Sequence, residues 1–140
     1  MQNLPRTVTV QTSDYGPVTT PEPPWCTGTH VEPIPASDGT ELLPRREDIA
    51  HTGPAINVTV GTRRGPRRLL ELLLWQDPFP TPLNANGTDV YVAVHLLDGD
   101  TFDYDPVSLD VLATELMEAA AKVRRVARRL AVEHRTGGTL

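Results

Sequence analysis

The longest hydrophobic pattern lies near the C-terminal end of the chain, in residues 105–134. Seven apolar residues recur there at alternating spacings of three and four, the periodicity of one face of an α-helix. These residues are Leu109, Leu112, Leu116, Ala119, Val123, Val126 and Leu130. Asp105 suits the N-cap position and Pro106 the first helical position. The pattern therefore predicts one long C-terminal helix that begins at Pro106 and frays at Gly137 and Gly138.

A period of two, typical of half-buried strands, recurs upstream of this helix. It predicts strands over residues 7–12, 56–62, 89–97 and 101–104, with Asp98-Gly99 as a hairpin turn between the last two. Residues 69–76 are rich in leucine, which favours a helix, but their length and the preceding Gly-Pro favour a returning strand. The predicted fold class is α+β: an antiparallel sheet of four to five strands with one long C-terminal helix packed on it.

Proline divides the chain into two parts, because nine of the 14 prolines lie in residues 1–54. We predict a proline-rich segment of strand and loop over residues 1–54, an α+β core over 55–135 and a flexible tail over 136–140, as one domain overall. Within the first segment, residues 13–54 are predicted to form a loop region with a short helical turn near residues 45–49.

The predicted helix is longer than the sheet requires. A stretch of 27 residues rises about 40 Å as a helix, whereas a six-residue strand spans about 20 Å. We call the seven apolar residues listed above the apolar stripe. Its distal half must therefore pack on the N-terminal loops, on a second protomer or on another partner. A homodimer through this helix is one of the alternatives that remain open.

Charge and cysteine content narrow the class of protein. The net charge of −5 argues against non-specific nucleic-acid binding as the main activity, because binding phosphates needs a basic surface. A single cysteine excludes an intramolecular disulfide and fits a reducing cytoplasm. Residues 1–10 do not resemble a signal peptide, and no stretch approaches 18 apolar residues. We therefore expect a cytoplasmic protein that does not associate with membranes.

One group of residues has the spacing of a metal site. Cys26 and His30 lie four residues apart, so a thiolate and an imidazole can reach one zinc ion from a turn, and His51 follows 21 residues later. The fourth ligand would be a carboxylate, another histidine or water. Glu22, Glu47 and Asp48 are the nearest carboxylates. The alternative is a buried thiol with two ordinary surface histidines.

The residues around this group resemble a known family. The sequence looks like a family of small uncharacterised actinomycete domains, which also end in a hairpin and a helix rich in leucine and alanine. The residues that carry this resemblance are Pro24-Trp25-Cys26, His30, Glu47-Asp48, His51 and Gly53-Pro54. The resemblance implies a Cys-Cys-His-His metal set, with a second cysteine four residues before the first. Glu22 occupies that position here, so the fourth ligand becomes a carboxylate or the metal is lost. The family has no known activity, so the resemblance implies a fold and a site only.

Arginine accounts for 12 of the 13 basic residues and forms two groups. The first group is Arg63, Arg64, Arg67 and Arg68, at a predicted hairpin tip. The second is Arg124, Arg125, Arg128 and Arg129, in the last turns of the helix, where cations complement the helix dipole. Each group is either a solvated face or a binding surface for an acidic protein or a nucleic acid. No aromatic residues alternate with them, which weakens the case for stacking on single strands.

Catalytic motifs are lacking. The chain has no Gly-x-Ser-x-Gly, no phosphate-binding glycine loop and no metalloprotease helix with two histidines and a glutamate. The aspartates at positions 98, 100, 103 and 105 lack the spacing of a calcium loop. We therefore predict a non-enzymatic interaction or regulatory module, stabilised by zinc and binding a protein or nucleic-acid partner. A zinc-dependent hydrolase, with a metal-bound water beside Cys26, His30 and His51, is the main alternative.

Overall fold

The computed structural model describes residues 6–30 and 34–137 of the chain. It divides into two compact units, residues 1–104 and 105–140. Among the described residues, the first unit contains nine strands and one turn of 3₁₀ helix. The strands are β1 (Arg6–Thr12), β2 (Gly16–Glu22), β3 (Ile34–Pro35), β4 (Glu41–Leu42), β5 (His51–Thr52), β6 (Ile56–Thr62), β7 (Gly65–Gln76), β8 (Tyr91–Leu96) and β9 (Thr101–Tyr104), and the 3₁₀ helix is Arg46–Asp48.

The strands form one five-stranded sheet and two two-stranded pairs, and every pairing is antiparallel. The order in the large sheet is β5-β7-β8-β9, and β6 also pairs with β7. The twelve residues of β7 accommodate both neighbours on one edge, because β6 pairs with residues 65–72 and β5 with residues 75–76. With the C-terminal helix, this arrangement confirms the predicted α+β class and a sheet of five strands.

The centre of the sheet lies where β7 and β8 run side by side. Leu70 in β7 is 3% exposed, and the consecutive β8 residues Ala93 and Val94 are 3% and 0% exposed. Successive side chains of a strand point to opposite faces, so β8 is covered on both faces at this point. Residues 69–76 lie in β7, so the prediction of a returning strand is confirmed. Their leucines belong to the sheet and not to a helix.

The N-terminal segment is more regular than predicted. The predicted first strand is confirmed as β1, and so is the helical turn, which is the 3₁₀ helix at residues 46–48. The prediction of loop throughout residues 13–54 is wrong, because residues 16–22 form β2 and pair with β1 along its whole length. β2 contains Pro17 and Pro21, and proline fits a strand that has a single neighbour and therefore needs few backbone donors.

The second unit contains one α-helix, α1 (Pro106–Gly137). Asp105 caps its start as predicted: its carboxylate accepts a hydrogen bond from the Ser108 N–H at 2.7 Å, and the Ser108 hydroxyl oxygen accepts one from the Asp105 N–H at 3.0 Å. α1 buries none of its own described residues. Packing of the helix on the sheet stays a prediction. Neither α1 nor any other helical stretch within residues 6–30 and 34–137 combines the length and apolar character of a membrane span.

Candidate metal centre

A tight turn after β2 brings Cys26 and His30 to the same side of the chain. The Cys26 N–H donates to the Pro23 carbonyl at 3.0 Å, which closes the first part of the turn. Gly28 follows with a φ of 91°, a conformation that glycine adopts without strain. The Gly28 N–H points back and donates to the Cys26 sulfur at 3.4 Å. This donor stabilises negative charge on the sulfur, as a metal-bound thiolate requires.

The segment after the turn runs beside β5 and is held to it by backbone hydrogen bonds. The Thr27 N–H donates to the Thr52 carbonyl, and the Ala50 N–H donates to the His30 carbonyl, each at 2.9 Å. On its other side, β5 pairs with the end of β7, where His51 lies opposite Gln76. His51 is thus fixed on a strand with backbone partners on both sides, and its position relative to the turn is set by the sheet.

The result is a cluster of three donors. One ligand atom each from Cys26, His30 and His51 lies within 4.8 Å of the other two. The Cys26 sulfur is 3.4 Å from Nε2 of His30, and the two imidazole rings meet edge to face at a centroid distance of 5.3 Å. Zinc bonds to sulfur and nitrogen at about 2.0–2.3 Å, so donors at these separations fit around one ion after small side-chain movements.

His51 is the most informative member of the cluster. Its side chain is fully buried, and neither ring nitrogen makes a hydrogen bond of good geometry, although the backbone carbonyl of Pro21 approaches the ring. Leaving a buried polar atom unsatisfied costs about 1–3 kcal/mol, and such atoms are rare in folded proteins. A metal ion bound by one of the nitrogens would remove part of this cost.

The surroundings of His51 favour its neutral form. Burial is the main cause of its lowered pKa, and the positive charge that His30 can carry lowers the pKa further. The carboxylate of Glu22 and the backbone of Pro21 oppose these effects only in part. A neutral imidazole is the form that binds a metal.

Glu22 stands beside the cluster at the end of β2. Its Oε1 lies 3.3 Å from Nε2 of His30, and its side chain is only 13% exposed. The same Nε2 is also 3.4 Å from the Cys26 sulfur. One ring nitrogen offers a single proton or a single lone pair, so it cannot fully satisfy both neighbours. Glu22 lies outside the set of donors that are all within 4.8 Å of one another, so it would have to move toward the cluster to bind the same ion. Glu22 is still the carboxylate whose position best fits a fourth ligand.

The other two candidate carboxylates are Asp48, which has a different hydrogen-bonding role, and Glu47. The Asp48 carboxylate accepts the Arg45 N–H at 2.9 Å and caps the 3₁₀ helix. Both Glu47 and Asp48 are exposed. In the described parts of the chain, the group of three or more donors close enough to hold a metal consists of Cys26, His30 and His51.

The two arginine groups lie in different units. Arg63 and Arg64 form the turn between β6 and β7, while Arg67 and Arg68 lie in β7. Arg68 forms an ion pair with Glu71 at 2.9 Å. The helix group, Arg124, Arg125, Arg128 and Arg129, is exposed on α1, and Arg129 lies 3.6 Å from Glu133.

Sequence reasoning missed a polar network that anchors the loop after β7. The carboxylate of Asp77 accepts hydrogen bonds from the Trp75 indole at 3.0 Å, the Asn84 amide at 2.9 Å and the Tyr91 hydroxyl at 3.1 Å. Burial raises the pKa of Tyr91, and so does the charge of Asp77. Trp75 pairs with Thr52, the residue after His51. The network therefore fixes the end of β7 that supports the cluster, and no spacing in the sequence indicates it.

Comparison with known proteins bears out the resemblance to an uncharacterised family. No curated protein and no solved structure matches the chain significantly. One family model matches residues 7–132, which include the turn, the sheet and most of α1. The chain therefore belongs to the family described as Domain of unknown function (DUF6907).

Proposed function

We propose that the protein is a small cytoplasmic interaction module, without enzymatic activity, whose N-terminal half is stabilised by a zinc ion. Cys26, His30 and His51 would bind the ion, and Glu22 would be the fourth ligand. The observation that carries the proposal is the fully buried His51, which makes no well-formed hydrogen bond on either nitrogen and has a ligand atom within 4.8 Å of those of a thiol and a second imidazole.

The small core supports a stabilising role for the ion. The apolar residues that the described part of the structure buries are few and mostly short. They are Val18, Cys26, Ile49, Ala50, Leu70, Ala93 and Val94. Domains with little apolar surface to bury are commonly stabilised by disulfides, a metal or oligomerisation, and the single cysteine excludes an intramolecular disulfide. Metal-binding energy would then contribute directly to folding.

The charges of the four groups favour zinc. The Cys26 thiolate and the Glu22 carboxylate would together carry two negative charges, while the two imidazoles are neutral as ligands. A doubly charged cation makes this buried set neutral, which avoids the large cost of an uncompensated charge. Zinc binds sulfur, nitrogen and carboxylate oxygen in tetrahedral sites, whereas calcium and magnesium prefer oxygen alone.

The position of Glu22 also separates this proposal from a zinc hydrolase. A structural site has four protein ligands, whereas a catalytic site keeps one position for water. With Glu22 as a ligand, no position remains for water. If Glu22 only bonds to His30, three protein ligands leave the fourth position free for water. That arrangement would favour the zinc hydrolase.

Cobalt substitution tests the proposal on the intact protein. Co²⁺ replaces zinc in tetrahedral sites, and its visible absorption reports both coordination number and cobalt–sulfur bonding. We expect one Co²⁺ per chain with strong tetrahedral bands and a sulfur charge-transfer band that Cys26→Ser abolishes. His134→Ala serves as the matched control, because His134 lies exposed on α1. Weak bands of higher coordination would support a bound water, and no cobalt spectrum at all would overturn the metal site.

The binding surface of the module would be arginine-rich. Arg63, Arg64 and Arg67 are exposed at one end of the β6–β7 hairpin. The neighbouring strand β6 is exposed over all seven residues. A local excess of arginine on a chain of net charge −5 suits an acidic protein surface or nucleic-acid phosphates. The arginines of α1 would form a second surface of the same kind.

A further inference from the structure

We propose that α1 pairs with α1 of a second copy of this chain, side by side and antiparallel, through its apolar stripe. The inference goes beyond the proposed function and does not depend on the metal. The stripe residues Leu116, Val123, Val126 and Leu130 are 39%, 68%, 67% and 54% exposed. All seven stripe residues, from Leu109 to Leu130, repeat every three to four residues over three heptads, the pattern of a seam between two helices.

The residues beside the stripe differ on its two sides. Written as heptads, Leu109, Leu116, Val123 and Leu130 take position a, and Leu112, Ala119 and Val126 take position d. One flank, position e, is alanine three times, at positions 113, 120 and 127. The other flank, position g, holds Glu115, Lys122 and Arg129. The alanines allow two helices to approach closely, since the interaxial distance depends on side-chain size at the contact.

The charges of position g select the orientation of the pair. In an antiparallel pair, position g of one helix faces position g of the other. In two registers one heptad apart, Glu115 then lies opposite the partner's Lys122 or the partner's Arg129, and each ion pair forms twice. In a parallel pair, position g faces position e, so Glu115 meets the partner's Ala120 and no such ion pair forms.

The distribution of charge along the whole of α1 also favours the antiparallel arrangement. Residues 106–120 carry three acidic side chains and no basic one, whereas residues 121–137 carry six basic side chains and one acidic. Antiparallel pairing places each acidic half beside a basic half, and parallel pairing places like charges together. The helix dipole explains only charges in the first and last turns, and Glu115 and Lys122 lie well inside α1.

The first test is the mass of the full-length protein by light scattering, over a dilution series from micromolar concentration upward. We expect the mass of two chains, where one chain is 15.3 kDa. Leu116→Glu should halve the mass, because it places a charge in the seam while glutamate still favours a helix. Its neighbour Met117, which is 75% exposed and lies outside the stripe, gives the control Met117→Glu, for which we expect no change of mass.

The second test determines the orientation by charge reversal. Glu115→Lys should shift the dimer toward one chain, and adding Lys122→Glu and Arg129→Glu should restore the mass of two chains. The control is Glu118→Lys, which lies on the far side of the helix from the stripe. A dimer that is insensitive to Glu115→Lys, or that the triple variant fails to restore, overturns the antiparallel arrangement.

If the stripe does not pair with α1 of a second copy, the mass measurements give different results. A wild-type mass of one chain at every concentration overturns the proposal. If Leu116→Glu then also lowers the melting temperature, the stripe packs within its own chain. A mass of two chains that survives Leu116→Glu places the dimer interface on another surface, and this result overturns the proposal as well.

Discussion

At the scale of single residues, the cluster depends on three side chains from two separate segments of the chain, which position them in different ways. Cys26 and His30 are positioned by a turn that needs glycine at position 28, where φ is 91°. His51 is positioned by the pairing of β5 with β7. Spacing alone predicted that these three residues could meet, and the structure brings their donor atoms within 4.8 Å. Spacing could not choose among Glu22, Glu47 and Asp48, because that choice depends on where β2 ends.

Glu22→Gln should weaken zinc binding. The substitution keeps the size of the side chain and removes the anionic oxygen, so the buried set can no longer neutralise the ion. We expect the zinc dissociation constant, measured by competition with a chelator, to rise at least about tenfold, the smallest effect usual for groups around a bound metal. Asp48→Asn is the matched control and should leave the constant unchanged. The opposite pair of results would identify Asp48 as the fourth ligand.

Asp77→Ala should destabilise the fold, because it removes the common acceptor of Trp75, Asn84 and Tyr91. Part-buried donors left without a partner cost about 1–3 kcal/mol, so the free energy of unfolding in urea should fall by roughly that amount. The exposed Asp89, replaced by alanine, should change it little. Equal effects of the two substitutions would count against the anchoring role of Asp77.

At the scale of elements, sequence patterns predicted the strands and the helix start that depend mainly on neighbouring residues. The alternation of Ile56, Val58 and Val60 predicted β6 to the residue, and the Asp105-Pro106 pair predicted the start of α1. β2 was missed because Pro17 and Pro21 obscure its alternation, and only its pairing with β1 makes it a strand. The network of Asp77 was missed for a similar reason, since its donors come from two strands and a loop.

Asp105→Ala should fray the start of α1, and the effect should depend on pH. The Ser108 N–H and hydroxyl, and the Val107 N–H to a lesser degree, lower the pKa of the Asp105 carboxyl. A lowered pKa in the folded state means that the ionised cap stabilises the helix fully above the unfolded value of about 3.9. This contribution is lost as the pH falls through the lower folded pKa.

The measurement is the difference in the free energy of unfolding between wild type and Asp105→Ala, from urea titrations at several pH values. We expect a constant difference from neutral pH down to about pH 4, which shrinks below it. Asp105→Asn should keep most of the wild-type stability at neutral pH, because asparagine caps helices about as well as aspartate. A difference that does not vary with pH would mean that the charge of Asp105 contributes nothing to the cap.

At the scale of the whole molecule, the proposed module combines an N-terminal half that a metal would stabilise with arginine-rich surfaces that would bind a partner. Reversing the charge of Arg63 and Arg64 together should remove partner capture from a cell lysate and leave the melting temperature unchanged, because both side chains are exposed. The reversal of Arg124, Arg125 and Arg128, which leaves the seam residue Arg129 unchanged, tests the helix surface separately. Reversing Arg6 and Arg135, which lie outside both groups, controls for net charge. If each reversal captures the same proteins and nucleic acids as wild type, neither surface is the binding site.

The most direct test of the central claim is the metal content of untagged protein by mass spectrometry, with Cys26→Ser, His51→Ala and the control His134→Ala beside wild type. The account predicts one zinc ion per chain in wild type and in His134→Ala. It predicts that both ligand variants lose the zinc and that their melting temperatures fall. Wild-type protein without zinc, or a zinc content that both ligand variants retain, would contradict the account.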